Sequence, residues 1–160
     1  MNYRILGLDP GFARTGWGLI DTDGIRHRHV NHGIIATNSS HTPERRLLEL
    51  YREITSLLEA SKPVAMGVEK LFFKRNISSA LPVAQAMGVV LLAAAQNNLV
   101  VKEYTPNTVK QSIVGTGQAD KEQVQNMIKI ILALGETPKS DHSADALAVA
   151  ITLIHHEMPW

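Results

Sequence analysis

The chain has 160 residues, no cysteine, and 16 basic against 15 acidic residues, which gives a formal net charge of +1 at pH 7. This length suits one domain, 1–160, with its own core, and the absence of cysteine excludes disulfides and thiolate zinc sites and favours a reducing cytoplasm. Balanced charge excludes a globally basic nucleic-acid binder, so DNA contacts would need local clusters, and no segment is expected to act as a signal peptide or cross a membrane.

The N-terminal half is predicted to form a three-stranded meander, a helix and a fourth strand. Apolar runs broken by turns at Pro10-Gly11 and Asp23-Gly24 predict strands at Arg4–Asp9, Gly16–Asp21 and about His29–Thr37. From Thr42 apolar residues recur at helical spacing until Pro63 ends the pattern. The run 64–69 is then almost wholly apolar, which is typical of a strand covered on both faces. Glu69 therefore stands at the end of a buried strand.

The C-terminal half is predicted to contain four helices and one further strand. Ser78 or Ser79 can cap a helix that continues to about Asn97, with Pro82 in its first turn. This helix is apolar on nearly every side, so one face can meet the sheet and another a partner. The remaining predicted elements are a strand at Leu99–Tyr104, a helix from Thr105-Pro106 to about Gly115, a helix at Lys121–Leu134 capped by Asp120, and a helix from Ser140 or Asp141 to about His155.

Three acidic residues and one histidine stand where such an α/β fold would bring remote segments together. Asp9 ends the first strand, Glu69 ends the fourth, and His142 and Asp145 lie three residues apart on one face of the last helix. Carboxylates and an imidazole that converge from distant segments are what divalent-metal phosphodiester chemistry requires. The four residues therefore predict a metal site.

Each of these residues also has an ordinary structural interpretation. The aspartate that ends the first strand could simply form the following turn. Glu69 could pair with Lys70 or Lys74, and the acids of the last helix could serve only to cap and solubilise its N-terminus. Asp141, four residues before Asp145, lies on nearly the same helix face and is a rival ligand. Spacing alone leaves these alternatives open.

A set of motifs along residues 4–154 identifies a family resemblance. The motifs are Gly7-Leu8-Asp9-Pro10-Gly11, Thr15-Gly16-Trp17-Gly18, Val68-Glu69-Lys70-Leu71-Phe72, Ala84-Gln85-Ala86-Met87-Gly88, Val109-Lys110-Gln111, Val114-Gly115 and Asp145-Ala146-Leu147-Ala148-Val149-Ala150. Together they resemble the RuvC Holliday junction resolvases. The resemblance implies an α/β, ribonuclease H-like fold with a five-stranded mixed sheet flanked by helices. It also implies a homodimeric, magnesium-dependent endonuclease that acts on four-way DNA junctions in recombination and repair.

Matched by position, the resemblance implies that Asp9, Glu69, His142 and Asp145 are catalytic metal ligands. Two-metal hydrolysis would follow, with Asp9 bridging the ions, one ion activating water and the other stabilising the leaving 3′ oxygen. The products would be a 5′ phosphate and a ligatable nick. Many relatives carry Asp at the position of His142, and some carry His. The imidazole is expected to shift preference from Mg²⁺ toward Mn²⁺, and activity is expected to fall when His142 is protonated.

Basic residues on both sides of the acids are predicted to hold DNA phosphates. Lys74 and Arg75 follow the fourth strand closely, while Lys110 and Lys121 stand on either side of the 115–119 connection. Each of them could instead be a solvated surface side chain.

Two aromatic residues follow the same strand. The resemblance implies that an aromatic ring there wedges against a base of the junction, a contact worth roughly 1 to 3 kcal/mol. Phe72 matches the family position, although one ring of the pair could fill the core and Phe73 could be the one that contacts DNA.

The resemblance also implies partners, and two other functions compete with it. Opposed nicks need two equivalent sites, and the apolar helix Val83–Ala95 is the predicted dimer interface. A branch-migration complex of RuvA and RuvB is the implied protein partner. An actin-like ATPase also opens on a Gly-x-Asp-x-Gly hairpin, but this chain has no second copy of that hairpin and no glycine-rich adenosine loop. A non-catalytic DNA-junction-binding protein would share the fold and the basic clusters.

Overall fold

The computed structural model describes residues 1–70 and 77–158. Its elements in chain order are β1 (Tyr3–Asp9), β2 (Arg14–Thr22), β3 (His27–Ala36), α1 (Pro43–Ser61), β4 (Ala65–Glu69), α2 (Ile77–Gln96), β5 (Val100–Tyr104), α3 (Pro106–Val114), α4 (Lys121–Ile131) and α5 (Asp141–Glu157). Every strand and helix predicted from the sequence is present. The predicted meander and the mixed α/β pattern are confirmed.

The strands form one mixed sheet in the order β3-β2-β1-β4-β5. β1, β2 and β3 pair antiparallel, whereas β4 pairs parallel with both β1 and β5. One buried cluster joins the sheet to α1 and α2, and a second joins its other face to α3, α4 and α5. β4 lies between two strands, and Ala65 to Val68 are buried, so the prediction of a strand covered on both faces is confirmed.

Local capping signals set most helix starts where the sequence predicts them. The Thr105 hydroxyl accepts a hydrogen bond from the Thr108 N–H at 3.1 Å, which begins α3. Asp120 and Gln123 form a reciprocal capping box at the start of α4. Of the two residues considered for α5, Ser140 is the cap, because its side chain accepts a hydrogen bond from the backbone N–H of the second helical residue.

The predicted start of α2 is wrong. The described helix already includes Ile77, so neither Ser78 nor Ser79 caps it, and Pro82 is its sixth residue rather than part of its first turn. By length and composition the stretch Ser78–Gln96 could cross a membrane, contrary to expectation, and 28% of the residues in its apolar window are buried. This signal is weak, because a core helix of a soluble protein passes the same test. α2 buries Ala86, Met87, Val90, Ala93 and Ala94 in the core that it shares with α1.

The predicted end of α4 is also wrong. The helix ends at Ile131 and not at Leu134, because Leu132 closes it and Ala133 adopts a left-handed φ of 50°. Leu134 nevertheless packs against the core. The apolar spacing therefore continues past the end of the helix.

A row of glycines lets α5 lie directly on the sheet. Gly18, Gly7 and Gly67 are register partners on three neighbouring strands. A Cβ on Gly7 would lie 1.9 Å from the carbonyl oxygen of Ala146, and a Cβ on Gly18 would lie 2.5 Å from Leu147 Cδ2. Real Cβ atoms do not approach other atoms this closely, so only glycine allows α5 to reach this depth. This row fixes the height of α5 above the strands.

Candidate metal centre and nucleic-acid interface

Strand alternation brings Asp9 and Glu69 to one edge of the sheet, on the face covered by α5. Leu8 of β1 and Val68 of the parallel strand β4 are register partners. Asp9 directly follows Leu8, and Glu69 directly follows Val68. Side chains two apart share a sheet face. Asp9 therefore lies on the face of Gly7, and Glu69 on the face of Gly67, both of which contact α5.

The first turn of α5 rests beside Asp9. Gly16 is the register partner of Asp9, and a Cβ on Gly16 would lie 2.0 Å from the His142 carbonyl oxygen. His142 Nδ1 lies 3.0 Å from Asp9 Oδ2, and the two side chains are 46% and 16% exposed. Asp145 follows nearly one turn later and is close enough to Asp9 for their charges to interact. All four predicted residues thus lie at one edge, although they come from three separate segments.

The carboxylates of this edge oppose one another's ionisation. The pKa of Glu69 is raised to about 7, first by burial and then by the charges of Asp9 and Asp145, against a smaller opposing effect of Lys110. The pKa of Asp145 is raised to about 6, first by burial and then by the charge of Asp9, against opposing effects of Lys121 and His142. The pKa of Asp9 is raised by burial, despite the hydrogen bond from His142 that lowers it. Partly buried negative charge has accumulated here without enough positive charge from the chain.

This donor set fits a divalent cation. Three carboxylates provide hard oxygen ligands, an imidazole adds a nitrogen, and a cation would relieve the repulsion that raises the carboxyl pKa values. Within residues 1–70 and 77–158, no group of three or more His, Asp or Glu side chains is arranged so that it could hold a metal ion as it stands. Asp9 contacts His142 instead. The backbone brings the four residues together, and the side chains would have to turn toward a shared ion.

Asp141, the rival ligand, is engaged elsewhere. Its Oδ2 lies 2.7 Å from Lys121 Nζ, and Gln125 Nε2 donates a hydrogen bond to its Oδ1 at 3.0 Å. The hydrogen bond from Lys121 is the main cause that lowers the pKa of Asp141. Asp141 therefore ties α5 to α4.

Lys110 and Lys121 lie beside the acids, as predicted for phosphate contacts. Together with Glu69 and Asp145 they line a cavity of about 260 Å³ between β4, α3, α4 and α5. Within the described ranges the lysine whose charge acts on Glu69 is Lys110, so the alternative of a pair with Lys70 is not supported.

The other predicted DNA contacts lie outside the described residues. They are Phe72, Phe73, Lys74 and Arg75, and the alternative pairing of Glu69 with Lys74 falls there too. These assignments stay predictions.

Sequence reasoning missed the residues that position α5. Gly16 and Gly18 alternate along β2 and share its α5 face with the site. Glycine at every second position of a strand is unusual, because it weakens the strand and often marks close approach of another backbone. The alternating glycines are visible in the sequence motifs, but the sequence does not show that α5 is the helix that packs against them.

The chain is similar over nearly its whole length to proteins of one description. A family model described as crossover junction endodeoxyribonuclease RuvC matches residues 5–154. RuvC of Desulfitobacterium hafniense is 51% identical over 152 residues, which cover 94% of this chain and 92% of that protein. The structure of Thermus thermophilus RuvC aligns with a TM-score of 0.89 and 33% identity over 96% of this chain and 94% of that one. A structure of T. thermophilus RuvC in complex with a Holliday junction substrate aligns with a TM-score of 0.87 and 31% identity over the same shares. The predicted fold class is confirmed.

Proposed function

The chain belongs to the RuvC family of crossover junction endodeoxyribonucleases, and we propose that Asp9, Glu69, His142 and Asp145 are the divalent-metal ligands with which it cleaves. It is a nuclease that resolves Holliday junctions in recombination and repair, and the nucleases of its family depend on divalent metal. The single observation that carries the site assignment is the group of carboxylates at one sheet edge whose pKa values are all raised by burial, and for Glu69 and Asp145 also by neighbouring carboxylates.

The chain's own residues prepare this edge for cation binding. Asp9 contacts His142, and its charge acts on both Glu69 and Asp145, so Asp9 is the residue that would take part in holding each ion. Glu69, with a pKa of about 7, must release its proton to bind. Bound divalent ions act as Lewis acids toward the scissile phosphate and activate water. We assign two Mg²⁺ ions to the site, and the His142 imidazole makes Mn²⁺ a better substitute than an all-carboxylate set would.

The DNA would lie across the edge that carries the acids. Lys110 and Lys121 are placed to hold phosphates on the β4–β5 side of the cleft. Lys121 also pairs with exposed Asp141, so a phosphate would compete with that carboxylate for its ammonium group. Phe72, Phe73, Lys74 and Arg75 are assigned to the junction centre by the family resemblance.

The proposed homodimer would form through the outer face of α2. Leu81 and Leu92 are 59% and 54% exposed there, and exposed Gln85 and Gly88 complete the same stripe at helical spacing. A Cβ on Gly88 would meet nothing within 4 Å, so a second helix could approach closely. A twofold dimer would supply two cleavage sites for the two opposed strands. The RuvA–RuvB partnership and the cytoplasmic location stay proposals taken from the resemblance and the composition.

The proposal is tested with an end-labelled four-way junction incubated with protein and Mg²⁺ or Mn²⁺. We expect paired nicks at symmetric positions in opposed strands, religation of the products by a DNA ligase, and no cleavage with chelator. A linear duplex of the same sequence is the control. Cleavage of junction and duplex at equal rates would contradict junction selectivity, and cleavage in the presence of chelator would contradict the metal assignment.

A further inference from the structure

We infer that Arg14 and Arg46 form a second phosphate-binding surface on the β2–β3 flank of the cleft, opposite Lys110 and Lys121. This inference rests on the proposed function, because it assigns a further contact for the same DNA. Neither arginine belongs to the sequence-predicted DNA contacts. The surface is defined by Phe12, Arg14, Thr37 and Arg46.

Strand alternation places Arg14 on the same sheet face as the acids. Arg14 lies two residues before Gly16, whose missing side chain faces His142, so its Cβ points to the α5 face beyond the N-terminus of that helix. Arg14 is exposed to solvent. It is thus a cation on the β2 side of the acids, whereas both lysines line the cavity that Glu69 and Asp145 share.

Arg46 lies near the start of α1, on the sheet face opposite α5, and its side chain is held at the strand ends where that face meets the edge of the acids. Its guanidinium carbon lies 4.3 Å from the centroid of the Phe12 ring, in the connection that follows Asp9. Its Nε donates to the Thr37 hydroxyl at 3.0 Å, and that hydroxyl donates to the Phe12 carbonyl oxygen at 2.8 Å. These contacts leave the two terminal nitrogens as donors. An oriented guanidinium loses little side-chain entropy when it binds a phosphate.

The nearby acids have other partners. Glu49, three residues after Arg46, accepts hydrogen bonds from Asn38 and His41, and its charge also interacts with Arg45. Glu44 interacts with Thr42. In the part of the chain that the structure describes, no ion pair involves Arg14 or Arg46, whereas Arg4 and Arg28 both pair with Asp21. An arginine that is oriented but not neutralised is suited to an external anion.

The spacing suits a nucleic acid. Arg14 lies on β2, three strands away from β5, and the end of β5 leads into the helix that carries Lys110. Three strand spacings of 4.7 to 4.9 Å amount to about 14 Å. This is about four base steps at 3.4 Å each. Positive charge on both flanks of the acids would hold one DNA arm across the cleft and centre its scissile phosphate.

The test is the salt dependence of junction binding, measured with chelator so that no cleavage occurs. Arg14→Gln, Arg46→Gln and the double variant are compared with Arg26→Gln, which removes the same charge at the turn of the opposite sheet edge. Each phosphate contact contributes about 0.9 to the slope of log K against log salt. We expect a slope smaller by about 0.9 in each single variant, roughly tenfold weaker binding near 0.1 M salt, and an unchanged slope for Arg26→Gln.

A purely structural role for Arg46 predicts a different result. Arg46→Gln would then lower the melting temperature and leave the slope unchanged, which would overturn its assignment. Arg14 is exposed and tests the surface without affecting a contact of the fold, so an unchanged slope for Arg14→Gln overturns the surface as a whole. If the wild type does not bind junctions, the proposed function fails instead. A wild type that binds and cleaves beside variants with unchanged slopes refutes only this inference.

Discussion

Two carboxylates on the same pair of strands behave in opposite ways. Asp9 and Asp21 both lie on the antiparallel ladder of β1 and β2, near its two ends, and their side chains are 16% and 11% exposed. Asp21 accepts hydrogen bonds from Arg4 at 2.8 and 3.0 Å and from Arg28 at 2.9 Å, which lower its pKa. Burial raises the pKa of Asp9.

The difference shows that burial alone does not decide the role of an acid. At the Asp21 end the chain supplies the cations, and the carboxylate stabilises the fold. At the Asp9 end the chain supplies two further carboxylates, and the cation must come from outside. The two side chains are similarly shielded from solvent, but burial is the main influence on the pKa of Asp9 and the hydrogen bond from Arg4 is the main influence on that of Asp21. The presence or absence of such a cationic partner distinguishes the structural acid from the functional one.

The largest expected effect is at the Asp9 end. Glu69→Gln and Asp145→Asn should each lower single-turnover junction cleavage by more than about 100-fold, since even indirect support of a metal ligand is worth 10- to 100-fold. The same variants should melt at a higher temperature than wild type in chelator at pH 8. Both carboxyls have raised pKa values, so their stabilising contribution is present in acid and is lost as pH rises through about 6 to 7.

The gain in melting temperature should therefore shrink when the same scans are run at pH 4. A full loss of cleavage together with a lower melting temperature at pH 8 would show that these acids support the fold, and the contrast between the two ends would disappear.

The next effect concerns the contact that unites the site. Gly7→Ala places a methyl group where the Ala146 carbonyl oxygen lies 1.9 Å away, so α5 must move or the strand must bend. Overpacking of this kind destabilises by about 3 kcal/mol, and the shift also displaces Asp145 from Asp9. Gly135→Ala is the matched control, because a Cβ there meets nothing within 4 Å. Equal urea midpoints for the two variants would contradict the role of the glycine row.

A smaller effect is expected at the Asp21 end. Asp21→Asn should lower the free energy of unfolding by about 1 to 2 kcal/mol at pH 7, because charge-assisted hydrogen bonds from Arg4 and Arg28 are lost. The pKa of Asp21 is lowered in the fold, so its stabilisation is present at neutral pH and is lost as pH falls through that pKa. The difference from wild type in urea unfolding should be full at pH 7 and should shrink steadily as the pH is lowered below 3.8, the ordinary value for an aspartate. A difference that does not shrink over that range would point to packing instead of charge.

The smallest effect concerns metal preference. His142→Asp replaces the imidazole by a fourth carboxylate and should lower the ratio of Mn²⁺-supported to Mg²⁺-supported cleavage by on the order of a few-fold. The measurement is cleavage rate against metal concentration for both ions. An unchanged ratio would place His142 outside the metal's ligands, with hydrogen bonding to Asp9 as its only role at this edge.

The sequence predicted the elements and the edge where the acids meet, and it failed where long-range contacts decide. Asp9 and Glu69 could be placed because strand ends are visible in apolar runs. Leu134 extended the apolar spacing of α4, although left-handed Ala133 had already ended the helix. The pairing of Arg4 with Asp21 is invisible, because the two residues are 17 positions apart. How closely α5 approaches the sheet depends on which helix packs against Gly7, and the sequence of β1 alone does not specify that helix.

A matched pair of substitutions on the shared strand ladder separates the metal centre from the structural ion pair. Asp9→Asn and Asp21→Asn make the same chemical change and are compared in single-turnover cleavage of a labelled four-way junction and in thermal melting. We expect Asp9→Asn to abolish paired nicking while the protein melts no lower than wild type, and Asp21→Asn to cleave normally but melt lower. Normal cleavage by folded Asp9→Asn would contradict the assignment of the metal centre.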